Sequence, residues 1–204
     1  MNLKIAGIVA RIEEMERELE QEIEQEAREK REEFHYSINK KKIVFEEASR
    51  KFQQKMRTGT LRYLRETPAK SLLVAPVIYS LYFPLFLLDL WIWLYQSVCF
   101  RAYGIPRVDR SDYVVLDRGH LPYLNPIEQF NCNYCGYANG LIAYAREVAS
   151  RTEQYFCPIK HARRILGTHS RYQSFFNFGD AENYRTGYEK LRENLQKEDP
   201  GANG

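Results

Sequence analysis

Apolar side chains recur at steps of three or four along the first part of the chain: Ile5, Ile8, Ile12, Met15, Leu19, Ile23 and Ala27, then Phe34, Ile38, Phe45, Ala48, Phe52 and Met56. That period marks one face of an α-helix, and no Pro or Gly interrupts it between Ile8 and Thr58. The spacing predicts a helical arm roughly 75 Å long at ~1.5 Å per residue. A stripe of that length needs a cover, so the arm reads as a coiled coil or a helical hairpin. The steps after Leu19 depart from strict heptads. They favour a bundle with partner helices, from a second copy or from another protein, over one unbroken two-stranded coil.

The pattern then changes from striped to continuous. Residues 71–88 contain no charged side chain, and after Asp89 the chain stays uncharged through Phe100. About 20 apolar residues suffice to cross a bilayer. Pro84 divides the run into limbs of roughly 20 and 24 Å, each short of a ~30 Å hydrocarbon core. That geometry predicts a re-entrant insertion, with a full span as the alternative and a buried hairpin of a soluble protein as the non-membrane reading. Tyr79, Tyr82, Trp91, Trp93 and Tyr95 supply rings suited to a membrane interface. Asp89 is costly in hydrocarbon, so it must be protonated, paired or near water, unless it caps a helix that starts after the bend.

Charge adds an orientation. The 204 residues hold 30 Lys and Arg against 27 Asp and Glu. The signs are nevertheless segregated: residues 11–33 carry eleven Glu and five basic residues, and 34–70 carry ten basic residues and three Glu. Basic residues on both sides of 71–100, at Lys51 to Lys70 and Arg101 to Arg118, suit anionic headgroups and place both flanks in the cytosol. Membrane lipid is therefore an expected partner. Nucleic acid is not, because no recognition motif accompanies the basic residues. The apolar residues after Lys4 are too few for a secretory leader.

The chemistry-bearing residues lie beyond Gly104. Cys132-Asn-Tyr-Cys135-Gly136 and Cys157-Pro-Ile-Lys-His161 have the spacing of metal ligands. A tight turn ending at Gly136 lets the first two thiolates chelate one ion. Pro158 suits the first position of a new helix over 158–166, on which Cys157 and His161 stand one turn apart. Leu141 to Ala149 reads as a helix packed behind them. Three cysteines and one histidine make a closed tetrahedral set, which predicts a structural zinc site at Cys132, Cys135, Cys157 and His161. Iron accepts the same ligands, and a dithiol redox pair accounts for Cys132 and Cys135 alone.

At these residues the chain resembles a group of uncharacterised bacterial proteins with a similar cysteine pair and a Cys-Pro-Ile-Lys-His segment. The resemblance covers Tyr113 to Ile165 and implies no activity. Asp117 with His120, and His169 in its Gly-Thr-His-Ser loop, are weaker candidates, as acid–base pair and spare ligand. No phosphate-cradling glycine loop or nucleophile elbow is present. Tyr113 to Asp117 reads as a short strand, and Asp180 begins a last helix bearing Tyr184, Tyr188, Leu191 and Leu195.

The expected fold is mainly α: a helical arm (1–70), a membrane-inserted segment (71–100), and a small α-rich metal-binding domain (101–204). The expected function is a membrane-attached interaction or scaffold protein. The alternative is a membrane-associated enzyme acting on a lipid or redox substrate through the Cys/His site.

Overall fold

The computed structural model describes residues 3–39 and 42–198, with the side chains of 3–6, 9, 13, 39 and 42 outside that description. The fold is mainly helical, as the pattern predicts. It divides into two compact units, Met1–Gly59 with His120–Asn125, and Thr60–Gly119 with Pro126–Gly204. Residues 71–100 pack inside the second unit and are not a separate piece.

In the first unit, α1 spans Leu3–Glu33 and ends where the sequence predicts continuation. The chain turns at His35, which adopts a left-handed φ of 52°, and a two-stranded antiparallel hairpin follows, β1 (Tyr36–Asn39) and β2 (Lys42–Phe45). Here the local composition overrides the helical rhythm. Tyr36 opposes Phe45 and Ile38 opposes Ile43, so β-branched and aromatic residues at a period of two form one face. The Tyr36 and Phe45 rings lie 5.5 Å apart. The single long helix is thus replaced by a helix, a hairpin and the short α2 (Glu47–Lys55). The stripe on α1 remains open: Ile8, Ile12, Met15, Leu19 and Ile23 are 44–59% exposed. Ile5 lies among the side chains not described.

The second unit begins with α3 (Thr60–Glu66) and then α4 (Ala69–Ser80), α5 (Tyr82–Tyr95), a π-helical turn (Gln96–Phe100) and α6 (Arg101–Tyr103). From Ala69 to Tyr103 these form one helical run of 35 residues. The chain does not turn back at Pro84. Pro84 falls in the first turn of α5, where a missing N–H removes little, and Leu81 keeps helical angles at φ −65° and ψ −19°. The two limbs of a re-entrant hairpin are therefore consecutive stretches of one rod.

The chain returns from Tyr103 and enters α7 (Pro126–Phe156), 31 residues long. α7 lies beside the apolar run and parallel to it: Tyr79 meets Asn131, Tyr82 meets Tyr137, Tyr95 meets Thr152, and Tyr103 meets Tyr155. The core forms between them, with Leu85, Ile92 and Phe100 from the run, Ile105 and Val108 from the return, and Leu141, Tyr144, Val148 and Tyr155 from α7. The last helix, α8 (Ala181–Gln196), starts as predicted at Asp180, whose carboxylate accepts from the Asn183 N–H at 3.3 Å. It seats a fully buried Leu195 in the same core.

Candidate functional site: an apolar helix and its polar seam

The metal-ligand expectation meets α7 first. Cys132, Cys135 and Gly136 form no knuckle, because all three lie within a continuous helix, and Cys157 follows that helix's last residue. With 22 positions between Cys135 and Cys157, a rise of ~1.5 Å per residue puts them about 33 Å apart. One ion cannot be held by both pairs of one chain. No helix starts at Pro158 either. The proline lies just past the end of α7 instead, where helical angles are disfavoured for the residue before it. The segment then forms a single parallel bridge from Ile159 to Phe176. His161 is exposed, and its backbone N–H donates to the Tyr172 hydroxyl at 2.7 Å. Among the described residues, no three His, Cys, Asp or Glu side chains gather as metal ligands. His169 instead pairs with Glu153 at 2.9 Å, and His120 is exposed at the end of a short 3-10 turn.

What the fold does assemble is the seam between the apolar run and α7. On the run, Ala75, Tyr79, Tyr82, Leu85, Asp89, Ile92, Gln96 and Phe100 are covered wholly or in part. Tyr79, Tyr82, Asp89 and Gln96 are the polar members of this stripe. Tyr79 donates to the Asn131 side chain, Tyr134 donates to the Ile78 carbonyl at 2.9 Å, and the Tyr95 and Thr152 hydroxyls meet at 3.2 Å. Rings interleave between the hydrogen bonds, with Tyr82 4.8 Å from Tyr134 and 5.8 Å from Phe130.

Asp89 sits mid-seam, its side chain 15% exposed. Arg110, from the return segment, grips it with two nitrogens at 2.7–3.2 Å, and the Tyr137 hydroxyl donates to the same carboxylate at 3.0 Å. The only charge between Ser71 and Phe100 is thereby paired, so the capping role is not the one it plays. Burial, and then the hydrogen bond to Asp89, push the Tyr137 phenol up to about 12. Seven residues on, Gln96 is fully buried at the start of the π turn. Its amide donates to the Tyr144 hydroxyl, and its carbonyl accepts the Val108 N–H at 2.8 Å. Both charge and amide thus serve to tie down the return.

Two further features hold that return in place. Gly136 and Gly140 stand four apart on α7 and leave a smooth track for it. A Cβ at Gly140 would overlap the Tyr113 carbonyl and come within 2.9 Å of the Val114 Cα, and one at Gly136 would lie 3.2 Å from the Val115 carbonyl. The predicted strand over Tyr113–Asp117 is therefore an irregular segment laid on a helix, with no partner strand among the described residues. Below it, Arg151 is 1% exposed and bonds Glu147 at 2.8 Å and the Pro106 carbonyl at 2.9 Å. Arg171 bonds the same Glu147 at 3.1 Å, Gln154 at 2.9 Å and Glu198 at 2.7 Å. Burial works to raise the Glu147 carboxyl, but the hydrogen bonds and charges of Arg151 and Arg171 outweigh it and hold the group below the usual carboxylate range.

The outer surface of the run is its opposite in character. Leu73, Val77, Phe83, Phe86, Trp91, Trp93 and Val98 are each more than half exposed, and only 6% of the most apolar stretch is buried. The run is long and apolar enough to cross a membrane. A core helix of a soluble protein has the same composition but is covered on all sides, and this one is not. Sequence reasoning found the run and Asp89 but missed Arg110, Tyr137 and the Gly136/Gly140 track. The last was legible as a small-x-x-x-small spacing. No family model matches the chain, and neither does any curated protein or solved structure.

Proposed function

We propose that this chain is a membrane-attached scaffold, held in lipid by the run Ala69–Tyr103 and collecting partner helices on the stripe of α1. The observation that carries it is the run's bare outer surface, apolar from Leu72 to Val98 except for Ser80, against a seam that gathers the polar groups. Basic residues at Lys70, Arg101 and Arg107 border that surface and suit anionic headgroups. The basic flanks favour the cytosolic side for both units. The exposed stripe on α1 supports the interaction half of the reading, because five large apolar side chains in line on one helix face are a docking edge for another helix.

Flotation tests the attachment. The purified chain, mixed with vesicles and spun through a density step, should rise with the lipid and stay there after an alkaline carbonate wash. A chain that remains at the bottom as a monodisperse soluble species contradicts the proposal.

A further inference from the structure

We infer that the run Ala69–Tyr103 lies in the plane of the membrane, immersed in one leaflet with α7 and the return segment on its water side, and does not cross. The inference rests on the membrane-attached reading above and adds its geometry and its partner, the acyl chains of a single leaflet.

The argument starts from the parallel order of the two helices. Because α7 runs the same way as the apolar run, the chain must travel back along the whole seam before α7 begins. That return is visible at each level: Val108 at Gln96, Arg110 at Asp89, Val115 beside Gly136, and Gly119 beside Asn133. Its residues are those of an aqueous surface. Arg107, Asp109, Arg110, Asp112 and Arg118 are exposed, and residues 114–117 belong to no helix and to no strand among the described residues.

A crossing orientation carries all of this through the hydrocarbon. The centre of the run is near Phe86, so Asp89, Arg110 and the non-helical backbone of the return would sit at mid-depth. Charged side chains and non-helical backbone are excluded there unless protein or a water-filled cavity surrounds them. Asp89 is covered by its partners, but Arg110 is 44% exposed and Arg107, Asp109, Asp112 and Arg118 are exposed beside it. Turned on its side, the same molecule has no conflict. A helix is about 10–12 Å across with its side chains, which fits within one leaflet of a ~30 Å core. The length of the run, too great for a perpendicular span, then places no demand on bilayer thickness. Positions such as Leu73, Leu87 and Leu94 share the side opposite the seam and become the deepest points.

Depth measured along the run decides between the orientations. Nitroxides at Leu73, Leu87 and Leu94, one per variant in a chain with its four cysteines changed to Ser, replace exposed side chains. The vesicles contain phosphatidylcholine and phosphatidylglycerol in equal parts. In-plane insertion predicts the same gain in oxygen over nickel-chelate accessibility at all three sites. A crossing helix predicts a maximum at Leu87 with a marked loss at Leu73, and that result overturns the inference while leaving attachment intact. Equal, water-like accessibility at all three sites means there is no insertion and overturns both. Shielding from both reagents at all three sites means that protein covers the face, and also overturns it.

A second measurement uses the unaltered chain. Cys135, in the first third of α7, and Cys157, just past its last residue, are both exposed. Added from outside sealed vesicles, an impermeant maleimide should modify both if α7 lies along the surface. Modification of only one contradicts the inference.

Discussion

α1 and the run Ala69–Tyr103 are similar in length, 31 and 35 residues, yet they present their apolar residues in opposite ways. On α1, from Arg11 onward, a single stripe of Ile, Met and Leu is set in a field of Glu, so most of the helix surface there prefers water. On the run the seam is polar, and the exposed face from Leu72 to Val98 is apolar except for Ser80. The difference teaches what each can meet. A narrow stripe specifies one neighbouring helix and rejects lipid, whereas a helix apolar all round except one seam accepts lipid and is fixed to its own protein by that seam. Abundance of hydrophobic residues does not separate the two roles, but their arrangement around the helix does.

The contrast is best attacked at the seam. The largest loss should come from Glu147→Ala, which strands Arg151 and Arg171 in the interior without their shared carboxylate. Breaking a buried pair in this way costs about 3–5 kcal/mol, read as a drop in the midpoint of denaturant unfolding followed by circular dichroism. Acid should reproduce part of it. Because the Glu147 carboxyl is held below its ordinary value, its contribution is complete above the usual carboxylate range, near ~4.3, and is lost as pH falls through its lower folded value. The Glu147→Ala chain should lose less stability on acidification than the wild type.

Next in size is the glycine track. Gly140→Ala forces the Tyr113 carbonyl away from α7 and should cost about 1–3 kcal/mol as overpacking. Gly136→Ala, whose Cβ would meet the Val115 carbonyl at 3.2 Å, should cost clearly less. Equal effects would mean that the return does not lie on this face of α7.

The smallest effect on stability belongs to α1. Leu19→Asp alters an exposed position and should change unfolding by no more than about 0.5 kcal/mol. The oligomer or hetero-complex measured by sedimentation in detergent should nevertheless weaken. Unaltered assembly removes the interaction half of the proposed function. Phe45→Asp is a different experiment, because Phe45 packs on Tyr36 within the hairpin and its loss unfolds that hairpin first.

How much of this was legible follows from the range over which each signal acts. The apolar run, the helix starting at Asp180 and the mainly helical class are local patterns of periodicity and capping, and they read correctly. The hairpin over Tyr36–Phe45 did not, because four-residue strands leave too short an alternation to stand against a helical rhythm on either side. Pro84 misled for a positional reason: the same residue breaks a helix interior and is harmless in a first turn. The Cys/His set failed more instructively. Ligand spacing says that two pairs could converge if a turn intervenes, but residues 136–156 hold no proline and only two glycines, and they continue as one helix that drives the pairs apart. Arg110 and Tyr137 could not be assigned to Asp89 from sequence, since 21 and 48 residues separate them and the pairing exists only once the return lies along α7.

The central claim, that the bare face of the run is a lipid-contacting surface, is tested most directly by its own tryptophans. Trp91 and Trp93 are the only two in the chain, and both are exposed on the run. Mixed with vesicles whose acyl chains are brominated, the unaltered protein should lose most of its tryptophan emission and shift it to the blue, while unbrominated vesicles give the shift alone. Emission unchanged by either lipid, in protein that remains folded, would show that the face meets something other than a membrane.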